Sequence, residues 1–175
     1  AVNCAARITW LLDRLEIQPT DRILEIGFGP GTAIRYAAER ATQGCVAGVD
    51  PSDEMLRQAT ARNRKAIAAG QVDLHCAGVE ALPFADDQFD IVFAINSMHH
   101  WANPARGLRE VQRVLRPGGL FAVLYHPVWT TNPQAADAGR DEIRALLWDS
   151  RLRVTAQLEE AIAPSKAVAV IATTT

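Results

Sequence analysis

The sequence predicts a doubly wound α/β domain, a parallel sheet covered by helices on both faces and finished by an antiparallel hairpin. Three observations predict it. Short apolar runs alternate with segments of helical periodicity. The inner runs are apolar almost throughout, as strands covered on both faces must be. Two strand-like runs near the C-terminus follow each other with no crossover helix between them, and such neighbours must be antiparallel.

The elements follow in order. Residues 4–16 place Ile8, Leu11, Leu12 and Leu15 at helical spacing, and Pro19 ends that helix. Residues 22–26 form a short apolar strand that runs into glycines, and 32–40 are helical. A second strand at 45–49 leads to a helix over 52–69 that stops at Gly70. Residues 72–76 and 89–95 give strands three and four. A helix over 105–114 carries an apolar stripe of Leu108 and Val111 that continues to Leu115. Arg116-Pro117-Gly118-Gly119 reads as a turn before strand five at 120–125. A loop with Pro127 and Pro133 leads to a helix at 136–148, and strands at 152–158 and 167–173 flank a turn at Pro164.

Length and charge set bounds on function. A chain of 175 residues holds one domain with a sizeable core. Its 18 basic and 20 acidic residues give a net charge of −2, without the basic excess expected of a protein that binds a nucleic acid through its phosphates. No apolar run is long enough to span a bilayer. Three cysteines without CxxC spacing suggest neither a disulfide frame nor a zinc site, so a reduced, cytoplasmic setting is expected.

The sharpest local signal is Glu25-Ile26-Gly27-Phe28-Gly29-Pro30-Gly31, between strand one and a helix. Such a turn brings backbone close to a ligand, and the helix N-terminus behind it offers free N–H groups. It departs from the dinucleotide pattern G-x-G-x-x-G, because position 32 is Thr, which argues against a nicotinamide-dependent oxidoreductase. Strand two ends in Val49-Asp50-Pro51, where a carboxylate can accept both hydroxyls of a ribose. Asp50 can equally cap the next helix, although Ser52 offers itself for that task.

These residues resemble the class I S-adenosylmethionine-dependent methyltransferases, in particular their small-molecule group (methyltransferase type 11-like), from about Asp21 to Tyr125. Ala81-Leu82-Pro83-Phe84, Phe89-Asp90-Ile91-Val92 and Leu115-Arg116-Pro117-Gly118-Gly119 match that family's later segments in order. The resemblance implies a Rossmann-like seven-stranded sheet of order 3-2-1-4-5-7-6. It also implies S-adenosylmethionine as donor, S-adenosylhomocysteine as product, and a small organic acceptor methylated on O, N or C. By the same resemblance Glu25 and Asn96 lie near the methionine end of the donor, and Gly27, Phe28, Gly29 and Gly31 run along its side. Asp50 and Pro51 meet the ribose, and Met55, Gly78, Val79 and Glu80 surround the adenine. Gly78 stands where many relatives carry Asp, which leaves the backbone N–H of Val79 to reach a ring nitrogen.

The chain is then one domain over residues 1–175. Residues 1–19 form an N-terminal helix or lid, 20–126 the cofactor core, and 127–175 the substrate-side loop, helix and hairpin. Both substrate-side segments are short, and three readings stay open at this point: an open acceptor site, one completed by a second copy in a homodimer, or segments that continue beyond the given ends. Ligands of such sheets bind beyond the carboxyl ends of the strands, which brings forward Asn96-Ser97-Met98-His99-His100-Trp101 and Tyr125-His126. His99 or His100 is the candidate base for a hydroxyl acceptor, against the alternative that both merely shape the pocket. Proline follows His126, so its loop could turn that side chain outward. Trp101 and Trp129 either wall an acceptor site or are ordinary packing. Asn96 and His126 would serve a hard metal ion poorly, so none is expected. A non-catalytic domain that binds the same cofactor for regulation or assembly stays open at this point.

Overall fold

A computed structural model describes residues 4–174. Residues 1–3 of the expected lid and Thr175 lie outside the described residues. The chain runs α1 (Cys4–Arg14), β1 (Arg22–Ile26), α2 (Thr32–Ala38), β2 (Cys45–Asp50), α3 (Asp53–Ala68), β3 (Val72–Cys76), β4 (Phe89–Ile95), α4 (Pro104–Val114), β5 (Leu115–Tyr125), α5 (Pro133–Trp148), β6 (Leu152–Ile162) and β7 (Ser165–Thr174). Two 3-10 turns, Val79–Ala81 and Met98–His100, follow β3 and β4.

The sheet has the order β3-β2-β1-β4-β5-β7-β6. Its first five strands are parallel, and β7 runs antiparallel to both β5 and β6. This is the seven-stranded, Rossmann-like arrangement expected from the sequence. The two faces carry separate cores. On one, Leu11, Leu12, Ile34 and Ala37 of α1 and α2 pack on Ile23, Phe93 and Leu124. On the other, Leu108, Val111, Ile143 and Leu147 of α4 and α5 pack on Leu24, Val92 and Phe121. Neighbouring residues such as Ile23 and Leu24 thus serve opposite cores, which is why the inner strands are apolar almost throughout, with Glu25 of β1 a buried exception.

Three boundaries differ from expectation. The turn at 116–119 lies inside β5: Phe89 pairs with Leu115 and Ile91 with Leu120, so four residues of β5 bulge out against one of β4. The hydroxyls of Thr173 and Thr174 donate to the carbonyls of Gly119 and Arg116 at 3.1 and 2.9 Å, which pins the bulge to β7. Helix α5 starts at Pro133 because Asn132 caps it, accepting from the Gln134 N–H at 3.0 Å, and proline suits a first helical position. The hairpin is longer than expected and closes at Ala163-Pro164.

Candidate active site

Beyond the carboxyl ends of β1, β2, β3 and β4 lies a cavity of about 530 Å³, walled on one side by α1. That size lies in the usual range for a small-ligand pocket. The turn after β1 shapes its floor. Gly27 donates its N–H to Val49 O at 2.8 Å, and Ser97 donates its hydroxyl to Ile26 O at 2.6 Å. Gly27 has φ +77°, and a Cβ there would stand 2.4 Å from Ser97 Cβ. The turn therefore admits no side chain at this position.

Asp50 is buried and ties two loops together. Its Oδ2 accepts from Gly29 N at 2.9 Å and its Oδ1 from Ser52 N at 3.0 Å. Helix α3 is capped by Ser52, whose Oγ accepts from Met55 N at 3.3 Å. Asp50 is thus released from capping, and each of its oxygens keeps a lone pair for a ligand hydroxyl.

Glu25 is 3% exposed and its Oε2 has no hydrogen-bond partner. Burial holds its carboxyl well above the usual carboxylate range, the charge of Asp50 adds to that, and the Ile34 backbone N–H pulls back against both. A buried carboxyl oxygen without a partner costs free energy unless a ligand answers it.

Of the residues singled out from the sequence, Glu25, Gly27, Phe28, Gly29, Asp50, Pro51, Gly78, Val79, Glu80, Asn96 and His100 line this cavity. Gly31, Met55 and His99 do not. Gly31 (φ +76°) serves helix packing, since a Cβ there would meet Ala59 Cβ at 2.6 Å, and its carbonyl accepts from Asn63 Nδ2 at 3.0 Å. Met55 packs half-buried on the α1–α2 core. His99 faces a second, smaller cavity on the other side of the Met98–His100 turn.

Several polar groups are already committed. Asn96 lines the cavity, yet its amide clamps the backbone of His126, donating to the carbonyl at 2.9 Å and accepting from the N–H at 2.7 Å. Glu80 Oε1 accepts from Asn103 N at 3.0 Å, fixing the entry to α4. His126 does not turn outward. It is fully buried, with Nε2 2.9 Å from Ile162 O, so that nitrogen carries the proton and donates. Burial lowers the pKa of His126, which disfavours its imidazolium. Burial and the neighbouring His100 likewise lower that of His99.

Sequence reasoning missed the wall supplied by α1. Cys4, Arg7 and Ile8 line the cavity, and Arg7 is the one Lys or Arg among the described lining residues. Its Nε is buried without a partner, and its Nη2 makes only a 3.6 Å contact with Cys4 Sγ. The apolar stripe of α1 points to the core, and no local motif connects Arg7 with the glycine turn some 20 residues later. Trp101 is half-buried and borders both cavities, whereas Trp129 stands exposed, edge-on to Tyr125 at 6.0 Å. Among the described residues no cluster of three or more His, Cys, Asp or Glu could hold a metal ion, and no helix is long and apolar enough to cross a membrane.

Comparison with known proteins adds a family. A family model described as a methyltransferase domain matches residues 24–123. The Bacillus subtilis protein YrhH, named as a methyltransferase, is 35% identical over 113 residues, covering 65% of this chain and 62% of its own length. The 27-O-demethylrifamycin SV methyltransferase of Amycolatopsis mediterranei is 35% identical over 141 residues, covering 78% of this chain and 51% of that protein. This chain thus spans only about half to two thirds of these curated relatives. The crystal structure of a SAM-dependent methyltransferase from Aquifex aeolicus superimposes with a TM-score of 0.79 at 20% identity, over 96% of this chain and 89% of that one.

Proposed function

Because this chain belongs to the methyltransferase-domain family, we propose that it transfers the methyl group of S-adenosylmethionine to O, N or C of a small organic acceptor and releases S-adenosylhomocysteine. One observation carries the reading: the unpartnered Oε2 of Glu25 and the under-bonded guanidinium of Arg7 line the same cavity as Asp50. The amino-acid end of the donor presents an ammonium and a carboxylate. Glu25 answers the first and Arg7 the second. Asp50 accepts the ribose hydroxyls, and the adenine lies along Gly78 and Val79 beyond β3. Bound there, the donor supplies a methyl group already carried on a good leaving group. The protein's own task is alignment, exclusion of water and, for a hydroxyl acceptor, removal of a proton.

Glu25 makes binding depend on pH. In the empty protein its carboxyl stays protonated from its ordinary range up to its raised value. A ligand ammonium favours the carboxylate, so binding in that window releases a proton and tightens as pH rises. Stability of the empty protein runs the other way. The contribution of Glu25 is full below the unfolded value and is lost as pH rises through the folded one. Calorimetry in buffers of different ionisation heat should show this proton release in the wild type. It should be absent in Glu25→Gln, and equal release in both would remove Glu25 from the ammonium site.

His100 is the better placed base, since it lines the donor cavity and His99 does not. For a hydroxyl acceptor, His100→Ala should lower kcat by roughly 100-fold or more. Affinity for S-adenosylhomocysteine should stay within about twofold of wild type on the same scale of effects. Unchanged turnover would leave His100 a wall residue.

A further inference from the structure

The second cavity lies between the Met98–His100 turn, the ends of β4 and β5, and α5. It has about 80 Å³, room for a chain or ring of roughly six heavy atoms. It shares Ser97 and Trp101 with the donor cavity, so the two spaces back onto one turn at the ligand end of the sheet. Its deeper walls are apolar, including Met98, Val123, Ile143 and Leu146.

The polar rim is asymmetric in charge. Glu142 is the one carboxylate among the described lining residues, and no Lys or Arg lines the space with it. Its neighbours on α5 are committed: Asp137 and Asp141 both pair with Arg140. Glu142 has neither an ion pair nor a hydrogen bond among the described residues. Its field reaches His99 and Tyr125 on the same rim: burial and then Glu142 raise the pKa of Tyr125, while at His99 burial and His100 lower the pKa and Glu142 opposes them.

The Tyr125 ring beside it is held in place. At Gly139 a Cβ would stand 2.2 Å from the Tyr125 ring, so α5 lies directly on that ring. Gly139 and Glu142 are three residues apart and share a helix face. Tyr125 in turn meets the His99 ring edge-on, with centroids 5.6 Å apart. An uncommitted carboxylate beside the packed Tyr125 ring, over an apolar floor, favours an ammonium on a small hydrophobic body.

We propose that this cavity is an acceptor subsite that binds an apolar, amine-bearing group of the substrate, with Glu142 and Tyr125 selecting for its positive charge. The subsite rests on the methyl-transfer reading above. It concerns recognition of the acceptor and leaves open which of its atoms receives the methyl group. Anionic acceptors are repelled by Glu142, and neutral ones of the same shape gain only the apolar contact.

The test uses the full chain saturated with S-adenosylhomocysteine and titrated with benzylamine, benzyl alcohol and benzoate. The Trp101 indole N–H is followed by NMR. Benzylamine should bind about fivefold more tightly than the alcohol, the size expected of an exposed carboxylate with a cation–π contact, and benzoate should bind most weakly. Glu142 is exposed, so Glu142→Gln should fold normally and bring amine and alcohol within about twofold, with affinity for S-adenosylhomocysteine unchanged. Equal or reversed preference in the wild type, or a preference that survives Glu142→Gln, overturns the subsite while the donor site stands. Failure of S-adenosylhomocysteine itself to bind overturns the reading beneath it, and the subsite with it.

Discussion

Replacing Asp50 by Ala should weaken binding of S-adenosylmethionine and S-adenosylhomocysteine alike, by roughly 30-fold to 1,000-fold. Two losses combine. The ribose hydroxyls lose a charged acceptor, worth about 2 kcal/mol or more in a desolvated site. The N–H groups of Gly29 and Ser52 lose their shared partner, so the glycine turn is no longer tied to the end of β2. Asp50→Asn separates the two. It keeps an oxygen for one N–H but gives up the charge, and should fall between wild type and Ala. Equal weakening of both ligands matters, since they share the ribose and differ only at sulfur. A variant that binds both as tightly as wild type would take Asp50 out of the site.

The second large effect is on stability. Gly27→Ala forces a side chain into a left-handed conformation, which costs about 1–2 kcal/mol. It also drives Cβ to within 2.4 Å of Ser97 Cβ, an overlap of the kind that costs a further 1–3 kcal/mol or so. Ser97 cannot readily swing away, because its hydroxyl is bonded to Ile26 O. We expect a total loss of roughly 3 kcal/mol in urea unfolding, a large share of the stability of a domain this size. Adding Ser97→Gly should relieve the overlap, leaving the conformational cost together with the lost hydrogen bond to Ile26 O. Wild-type stability in Gly27→Ala would contradict the geometry of the turn.

The inner strands were legible because burial on both faces leaves its mark on neighbouring positions: Ile23, Leu24 and Ile26 are all buried in β1. The start of β5 was not, because what holds the bulge at 116–119 is a pair of threonine hydroxyls from β7, far away in sequence. Glycine showed the same limit. Gly27 and Gly31 look alike in the motif, yet one makes room for the Ser97 loop and the other for α3. Either use demands a missing Cβ, and only the fold distinguishes them. Asp50 and Ser52 were both plausible caps, and the choice fell to the residue whose side chain reaches Met55 N.

The chemistry of the site divides along the same line. Residues at strand ends could be placed by topology, which fixes where each loop emerges. Arg7 could not, because its approach depends on how α1 docks across the sheet. His126 was misleading for a related reason. The proline after it suggests an outward loop, but Asn96 clamps its backbone and Ile162 O takes its Nε2 proton.

The proposed donor site for S-adenosylmethionine lies at the ends of β1 and β2. Titration calorimetry of the full chain with S-adenosylmethionine and S-adenosylhomocysteine tests it most directly. Saturable one-to-one binding of both ligands is expected, with proton release in the pH window where burial keeps the free Glu25 carboxyl protonated. No binding of either at millimolar concentration would contradict it.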